Sequence, residues 1–553
     1  MKKIMKKLAL VLISVLMALS LTACGSDEGT GTTGGEVTYK DTFTYAIGGE
    51  PNYLDPAVAT DSVASYILNQ TYYPLFAFAE DGSIVNEACT EYELDDTQTV
   101  YTLHLTEDNY WSDGQQVVAG DYVYGMLRSL GLGSADSHYS YFIRNYVKGA
   151  SQFGADGSTA KIADMEGVVG IEALDDFTIQ ITLEKPCSFF LSLMTSSVFY
   201  PLRSDYAPEL DYTWAGELHP TNGAYTYSSI DNKTEIDMVK NEYFPMADQV
   251  TTPNLRAVVM ADPEAQLMAF QTGEIDFASN VEPSTVVNLY EGQPELLISS
   301  SVINYYMQMN SYRASDALKD VRVRRAIQLG IDRNNIITAL DAEGVYYELL
   351  GYVPKGMPGV DGDFRQEQDD ERPLVYTDKD EARALMEQAG YSETNRLQLT
   401  YSTNQAAMHD TVSAVIAEEL KAIYIDVSIE NKELRVFFDE RDQQGITELA
   451  RGSMSADYMD PTTFLEMANS KNQYGHPTWG DATYDAMLAE ADLLTGTERM
   501  EKLHEAENYL VEEMAYTCPL FGYSNVALAK AGIEGYSCNP QGSYTFAFVK
   551  VPA

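Results

Sequence analysis

Positive charge is scarce in this sequence. It has 36 lysines and arginines against 83 acidic residues, a formal net charge of −47. Lys2, Lys3, Lys6 and Lys7 lie in the first 23 residues, which hold no acid, so the remainder sets 32 basic against 83 acidic side chains, a balance of −51. Such a surface repels phosphate backbones and anionic headgroups, so nucleic acid is not an expected partner. Tryptophan is also rare, with 3 residues against 39 tyrosines, which suit half-buried strand and interface positions. Of the five cysteines, Cys89, Cys187, Cys518 and Cys538 are scattered without metal-ligand spacing. Cys518 and Cys538 close the shortest loop and are the best-placed pair for a disulfide, with buried free thiols as the alternative.

Catalytic signatures are missing too. "HEAEN" at His504 lacks the second histidine of HExxH, "GLGSAD" breaks the GxGxxG pattern at its last position, and neither GxSxG nor GxxxxGK[ST] occurs. His104, His138, His219, His409, His476 and His504 never come within four residues of one another, which speaks against a local metal site. "DGDFRQEQDDE" at 361–371 lacks the glycine and terminal glutamate of a calcium loop and reads as a solvated acidic loop. Nothing marks two of the 83 acids as a glycosidase pair. With no nucleophile, cofactor loop or metal cluster, binding is expected instead of catalysis, without a cofactor.

Long apolar runs are confined to the start. "MKKIMKKLALVLISVLMALSLTAC" has a lysine-rich head and an apolar stretch from Leu8 to Leu19, the layout of an export signal over residues 1–23. Its end, Leu21-Thr22-Ala23-Cys24, is similar to a bacterial lipobox, which implies a lipid on Cys24. "GSDEGTGTTGGEVTYK" follows as a flexible tether, giving 24–39 for tether and modified cysteine. No later run is long enough to span a bilayer. The expected location is therefore extracytoplasmic, lipid-anchored to the outer face of the cell membrane or periplasmic.

A chain of 553 residues is too long for one core, so two or more lobes are expected. "LRAVVM" (255–260), a helix carrying Leu267, Met268 and Phe270 and stopped by Gly273, then "EIDFAS" read as a strand–helix–strand crossover. "LQLTYST" (397–403), a helix with Val412, Val415, Ile416, Leu420 and Ile423 at the 3.6-residue period, then "IDVSIE" (425–430) read as another. "YTLHL" and "FTIQITL" alternate as antiparallel strands with one wet face. The fold class is thus α/β, and two lobes without a floppy joint suit a clamp that closes by hinge rotation.

Several stretches occur together in order: "NYLDPAVATDS" (52–62), "WSDGQQVVAGDYVYGMLR" (111–128), "TNGAYTY" (221–227), "TGEIDFASN" (272–280), "LKDVRVRRAIQLGIDRNNI" (318–336), "EARALMEQAGY" (381–391) and "ADYMDPTTFL" (456–465). This set resembles the extracellular solute-binding proteins of family 5, the oligopeptide- and dipeptide-binding lipoproteins of ATP-driven importers. The resemblance implies a two-lobed periplasmic-binding-protein-like clamp (type II, large class) with an extra small subdomain. Lobe I would comprise 40–59, 187–302 and 524–553, the subdomain 60–186, and lobe II 303–523. It implies a peptide as ligand, a permease complex as partner and a monomeric state.

Residue by residue, the resemblance points to Asp457 as the acid that holds a peptide's α-ammonium group; read without it, Asp457 is a turn or cap before "MDPTT". It points to Arg451, Arg441 and His409 as partners for a peptide's carboxylate at different ligand lengths, since a guanidinium fork suits a carboxylate. Backbone pairing with the peptide would involve Thr60, Asp61 and Ser62, and the run Gly452, Ser453, Met454 and Ser455. Tyr139, Tyr141, Asn280 and Tyr523 fall near ligand-facing positions. Some relatives have tryptophans where this chain has Met454 and Leu434, a lysine at Asp341, and a disulfide matching Ile303 and Ser455, which cannot form here. A sugar, haem, opine or metal chelate on the same fold, or a sensor role, remains the alternative to peptide transport.

Overall fold

The computed structural model describes residues 38–312, 315–470 and 478–553. The export signal, most of the tether, Cys24 and His476 lie outside the described residues. Tyr39–Pro552 forms one compact unit, and the following concerns that unit.

A seven-stranded mixed sheet organises one lobe. Its order is Leu296–Ser299, Asn525–Ala529, Phe277–Ala278, Thr42–Ile47, Asn254–Val259, Glu235–Lys240 and Tyr225–Asp231. The expected crossover is there, but Thr42–Ile47 lies between its two strands and pairs parallel with both. Its helix, Pro263–Thr272, starts where Asp262 accepts from Glu264 N–H and ends at Gly273, φ 80°. Met268, expected on this helix, points outward, and Gln266, Ala269 and Phe270 are buried instead.

A six-stranded sheet organises the other lobe, in the order Tyr346–Glu348, Thr517–Tyr523, Ile303–Met309, Leu449–Ser455, Leu397–Asn404 and Ile425–Lys432. Leu397–Asn404 and Ile425–Lys432 pair parallel across helix Ala407–Lys421, as periodicity predicts. Pro519 lacks an N–H for the ladder, and the register of its strand shifts between Tyr305 and Tyr306, a bulge that accommodates it. A four-stranded antiparallel sheet built on Val100–Leu105 and Thr178–Thr182 carries the small subdomain.

Two of the sequence stretches exist to hold each other. Arg128, at the end of "WSDGQQVVAGDYVYGMLR", donates bidentately to Asp55 of "NYLDP" at 3.0 and 2.6 Å, both side chains fully buried. Trp111 Nε1 and the Val118 N–H both donate to Asp121, closing the start of helix Ala119–Gly131.

Two expectations fail. Cys89, Cys187, Cys518 and Cys538 are all free and buried. Cys518 packs in the six-stranded sheet's core beside Arg333, whereas Cys538 packs with the seven-stranded sheet beside Ser299, so the pair sits in different cores. The acidic stretch 361–371 is largely a helix, Phe364–Glu371, not a loop; Asp363 caps it, and buried Arg365 pairs with Glu507 at 2.7 Å.

Candidate functional site

The segment "ADYMDPTTFL" leaves strand Leu449–Ser455 and enters the space between the lobes. It is fastened from both sides. Asp460 accepts bidentately from Arg499 at 2.8 Å on each oxygen and from Thr462 Oγ1 at 2.6 Å. Tyr458 stacks on Phe189, ring centroids 5.1 Å apart and planes nearly parallel at 9°, and the Met459 N–H donates to Ser192 Oγ at 2.7 Å. The Asp457 N–H donates to Thr463 Oγ1 at 3.0 Å, and Gln541 Nε2 donates to the Asp457 carbonyl at 3.0 Å. A loop with this many fixed points presents its remaining carboxylate in a defined direction.

That carboxylate belongs to Asp457. The Tyr141 hydroxyl donates to Oδ2 at 3.2 Å and the Tyr139 hydroxyl to Oδ1 at 3.5 Å. Among the described residues no lysine, arginine or histidine pairs with it. Burial pushes its pKa up to about 6, against the two tyrosine hydroxyls that pull it down.

Asp457 opens on a cavity of about 340 Å³. Thr60, Asp61, Ser62, Tyr139 and Ser455, all singled out from sequence, share its wall, and Tyr141 supports Asp457 at its edge. Asp61 also caps helix Ser62–Thr71 by accepting from the Ala64 N–H at 2.8 Å. Sequence reasoning missed the remaining wall, including Tyr73, Phe76, Glu87, Phe142, Phe244 and Gln541. Its acids are Asp61, Glu87 and Asp457, and no basic residue is among the lining residues described.

The other candidates do not line this cavity. Arg451, 8% exposed, donates from Nε to Asn404 Oδ1 at 2.6 Å and stacks over Phe437 and Phe438. Arg441 stacks on the same rings, pairs with Asp442 and donates to the Arg451 carbonyl at 2.8 Å. His409 Nδ1 lies 3.1 Å from the Tyr305 hydroxyl; burial, then the Arg451 charge, lowers its pKa to about 4, so it is neutral at pH 7. The Tyr523 hydroxyl meets Ser453 Oγ at 3.2 Å.

Three candidates have structural occupations. A Cβ on Gly452 would stand 2.3 Å from the Tyr306 ring, so any larger residue at that strand position requires the ring to move. Met454 is held through its N–H by Asn304 Oδ1 at 3.1 Å and packs in a core cluster. Asn280 bridges Gln266 and the Ala261 carbonyl. Of the departures, Asp341 sits at a helix end in the left-handed region, φ 49°, which aspartate tolerates better than lysine. Ile303 and Ser455 face each other directly across paired strands.

Comparison with known proteins gives a consistent result. The periplasmic oligopeptide-binding protein OppA of Escherichia coli (strain K12) is 27% identical over 555 residues, covering 96% of each chain. The oligopeptide-binding protein OppA of Bacillus subtilis (strain 168) is 25% identical over 545 residues, again covering 96% of each. The structure of Haemophilus influenzae OppA in complex with RPPGFSPFR superposes with a TM-score of 0.71 at 24% identity, covering 94% of this chain and 100% of that one. The two-lobed α/β fold follows from that likeness. The family model "Bacterial extracellular solute-binding proteins, family 5 Middle" matches residues 83–476, and the chain belongs to that family.

Proposed function

We propose that this protein captures peptides between its lobes, fixes them by their free amino end at Asp457, and delivers them to an ATP-driven importer. The observation that carries this is a carboxylate with no cation partner among the described residues, held by two tyrosine hydroxyls on the wall of an interlobe cavity whose described charged lining residues are all acids. Stripping water from an ammonium is unfavourable by several kcal/mol unless a carboxylate meets it, so such a site selects ligands that bring the cation. No catalytic step is assigned to the protein.

The lobe limits 40–59 with 187–302 and 524–553, the subdomain 60–186 and the second lobe 303–523 belong to the same proposal. Strands 525–529 completing the first sheet, and 303–309 beside 517–523 in the second, support them. Arg451, with Arg441 and His409 beside it, lies six residues before Asp457 along one strand and loop, and is our candidate for a peptide carboxylate beyond the cavity. We further propose that a lipid on Cys24 tethers the monomer outside the membrane. No helix among the described residues is long and apolar enough to cross one.

Isothermal calorimetry with a free-amine tripeptide and its N-acetyl derivative tests the central claim. Acetylation should remove most of the affinity. Equal affinity for the two peptides would sink the role of Asp457.

A further inference from the structure

Asp457 accounts for one of the three acids on the cavity wall. Asp61 has an occupation already, accepting from the Ala64 N–H at 2.8 Å and the Asn52 N–H at 3.2 Å. Glu87 has none of that kind. It lies in the short connection between strands Ile84–Asn86 and Cys89–Leu94, tied down by its N–H to the Leu75 carbonyl at 3.2 Å. Its half-buried side chain is hydrogen-bonded by the Tyr73 hydroxyl, and among the described residues no basic group pairs with it. Keeping a carboxylate out of water without a countercharge is unfavourable, and one hydroxyl offsets only part of that. The described lining residues supply no cation, so the charge that balances Glu87 is expected to enter with the ligand.

The surroundings say what form that cation takes. Phe76, Phe78 and Phe244 line the same cavity, giving apolar surface for an aliphatic stem and ring faces for a charged head. A metal ion or a small inorganic cation has no use for such a wall. Building on the amino-end reading of Asp457, we propose that Glu87 is a specificity residue that holds a second positive charge of the ligand, the ammonium or guanidinium of a basic side chain. The preferred cargo is then a dicationic peptide, with one charge at its amino terminus and the other on a lysine or arginine near it. A peptide lacking the second charge leaves Glu87 uncompensated, which is selection by an unpaired group as well as by a new contact.

The test compares Lys-Ala-Ala with norleucine-Ala-Ala, which keeps the four-carbon stem and loses only the ammonium. Calorimetry on the full protein should show the lysyl peptide binding about tenfold or more tighter, the range of one buried charge-assisted contact. Glu87→Gln should bring the lysyl peptide to the level of the norleucine peptide while leaving the latter within about threefold of its original affinity. Glu87→Asp, which keeps the charge, should retain part of the preference. Equal binding of both peptides by the unmodified protein overturns the inference, as does a Glu87→Gln variant that weakens both alike. Failure of the amino-end reading looks different: N-acetylated copies bind as well as free ones while the lysine preference still depends on Glu87. If neither peptide binds, both readings fall together.

Discussion

Replacing Asp457 by asparagine keeps the shape and removes the charge, and the structure gives opposite signs for its two effects. Burial holds this carboxyl at about pKa 6, raised from an ordinary value of 3.8. A raised carboxyl pKa means that the folded state prefers the protonated form. The penalty is absent below pH 4, where folded and unfolded chains are both protonated; it grows between pH 4 and 6, and is complete above that. Two pH units correspond to about 3 kcal/mol at most, and residual solvent contact brings a realistic figure nearer 2 kcal/mol. Asp457→Asn should therefore stabilise the empty protein at pH 7.5, by about 2 °C in Tm if the whole chain unfolds together. At pH 4 the gain should vanish. The same substitution should weaken a free-amine peptide by about 2–3 kcal/mol, roughly 30- to 150-fold, because the ammonium loses its charged partner at this position. Scanning calorimetry at the two pH values, then titration with peptide, reads both. A variant no more stable at pH 7.5, or equally stabilised at pH 4, would falsify the claim that this carboxylate is held unpaired for a ligand.

Three further outcomes follow from the same contacts. Arg499→Met leaves Asp460 buried without its bidentate partner at 2.8 Å, so a loss of about 3–5 kcal/mol is expected in denaturant titration, along with weaker peptide binding because the Asp457 loop loses an anchor. Gly452→Ala drives a Cβ to 2.3 Å from the Tyr306 ring, and about 1–3 kcal/mol of overpacking should lower Tm; an unchanged Tm means that the ring moves freely. Peptide binding should release about half a proton at pH 6, since an ammonium partner forces the half-protonated Asp457 into its charged form. Titrations in buffers of different ionisation enthalpy measure this, and Asp457→Asn should abolish it.

Much of the architecture is legible because it is written in local periodicity. Val412, Ile416 and Leu420 mark one face of their helix, and the alternation in 100–105 and 178–182 marks a sheet with one wet face. What periodicity cannot convey is which strand inserts between two others. Thr42–Ile47 lies between the two strands of a crossover that sequence places side by side, because the connection passes over a strand from the chain's beginning. The cysteines fail for a related reason: a gap of twenty residues makes Cys518 and Cys538 close in sequence, while the chain crosses from one lobe's core to the other's between them. Leading an acidic run with an aspartate that caps a helix, as Asp363 does, is likewise invisible to a charge count. At the site, Asp457 is singled out only by its place in an ordered set of motifs. Glu87 carries no sequence signal at all; only folding puts it beside Tyr73 on the cavity wall.

The placement of charge around the cavity is what the proposed capture of a peptide's amino end rests on. In a chain of net charge −47, long-range attraction for any cation is general and screened within about 10 Å at 0.1 M salt. Selectivity must come from a carboxylate removed from that screening and fixed in direction. Asp457 meets both conditions because its neighbours Tyr458, Met459 and Asp460 are each bound elsewhere, Tyr458 to Phe189, Met459 to Ser192 and Asp460 to Arg499. The tyrosines that hold the carboxylate come from the subdomain, across the interlobe space from the strand that delivers it. An ammonium entering between them completes a set of contacts drawn from both sides. On the proposed reading its binding energy is available only when the two sides are together, so recognition of the amino end and closure of the clamp would be the same event.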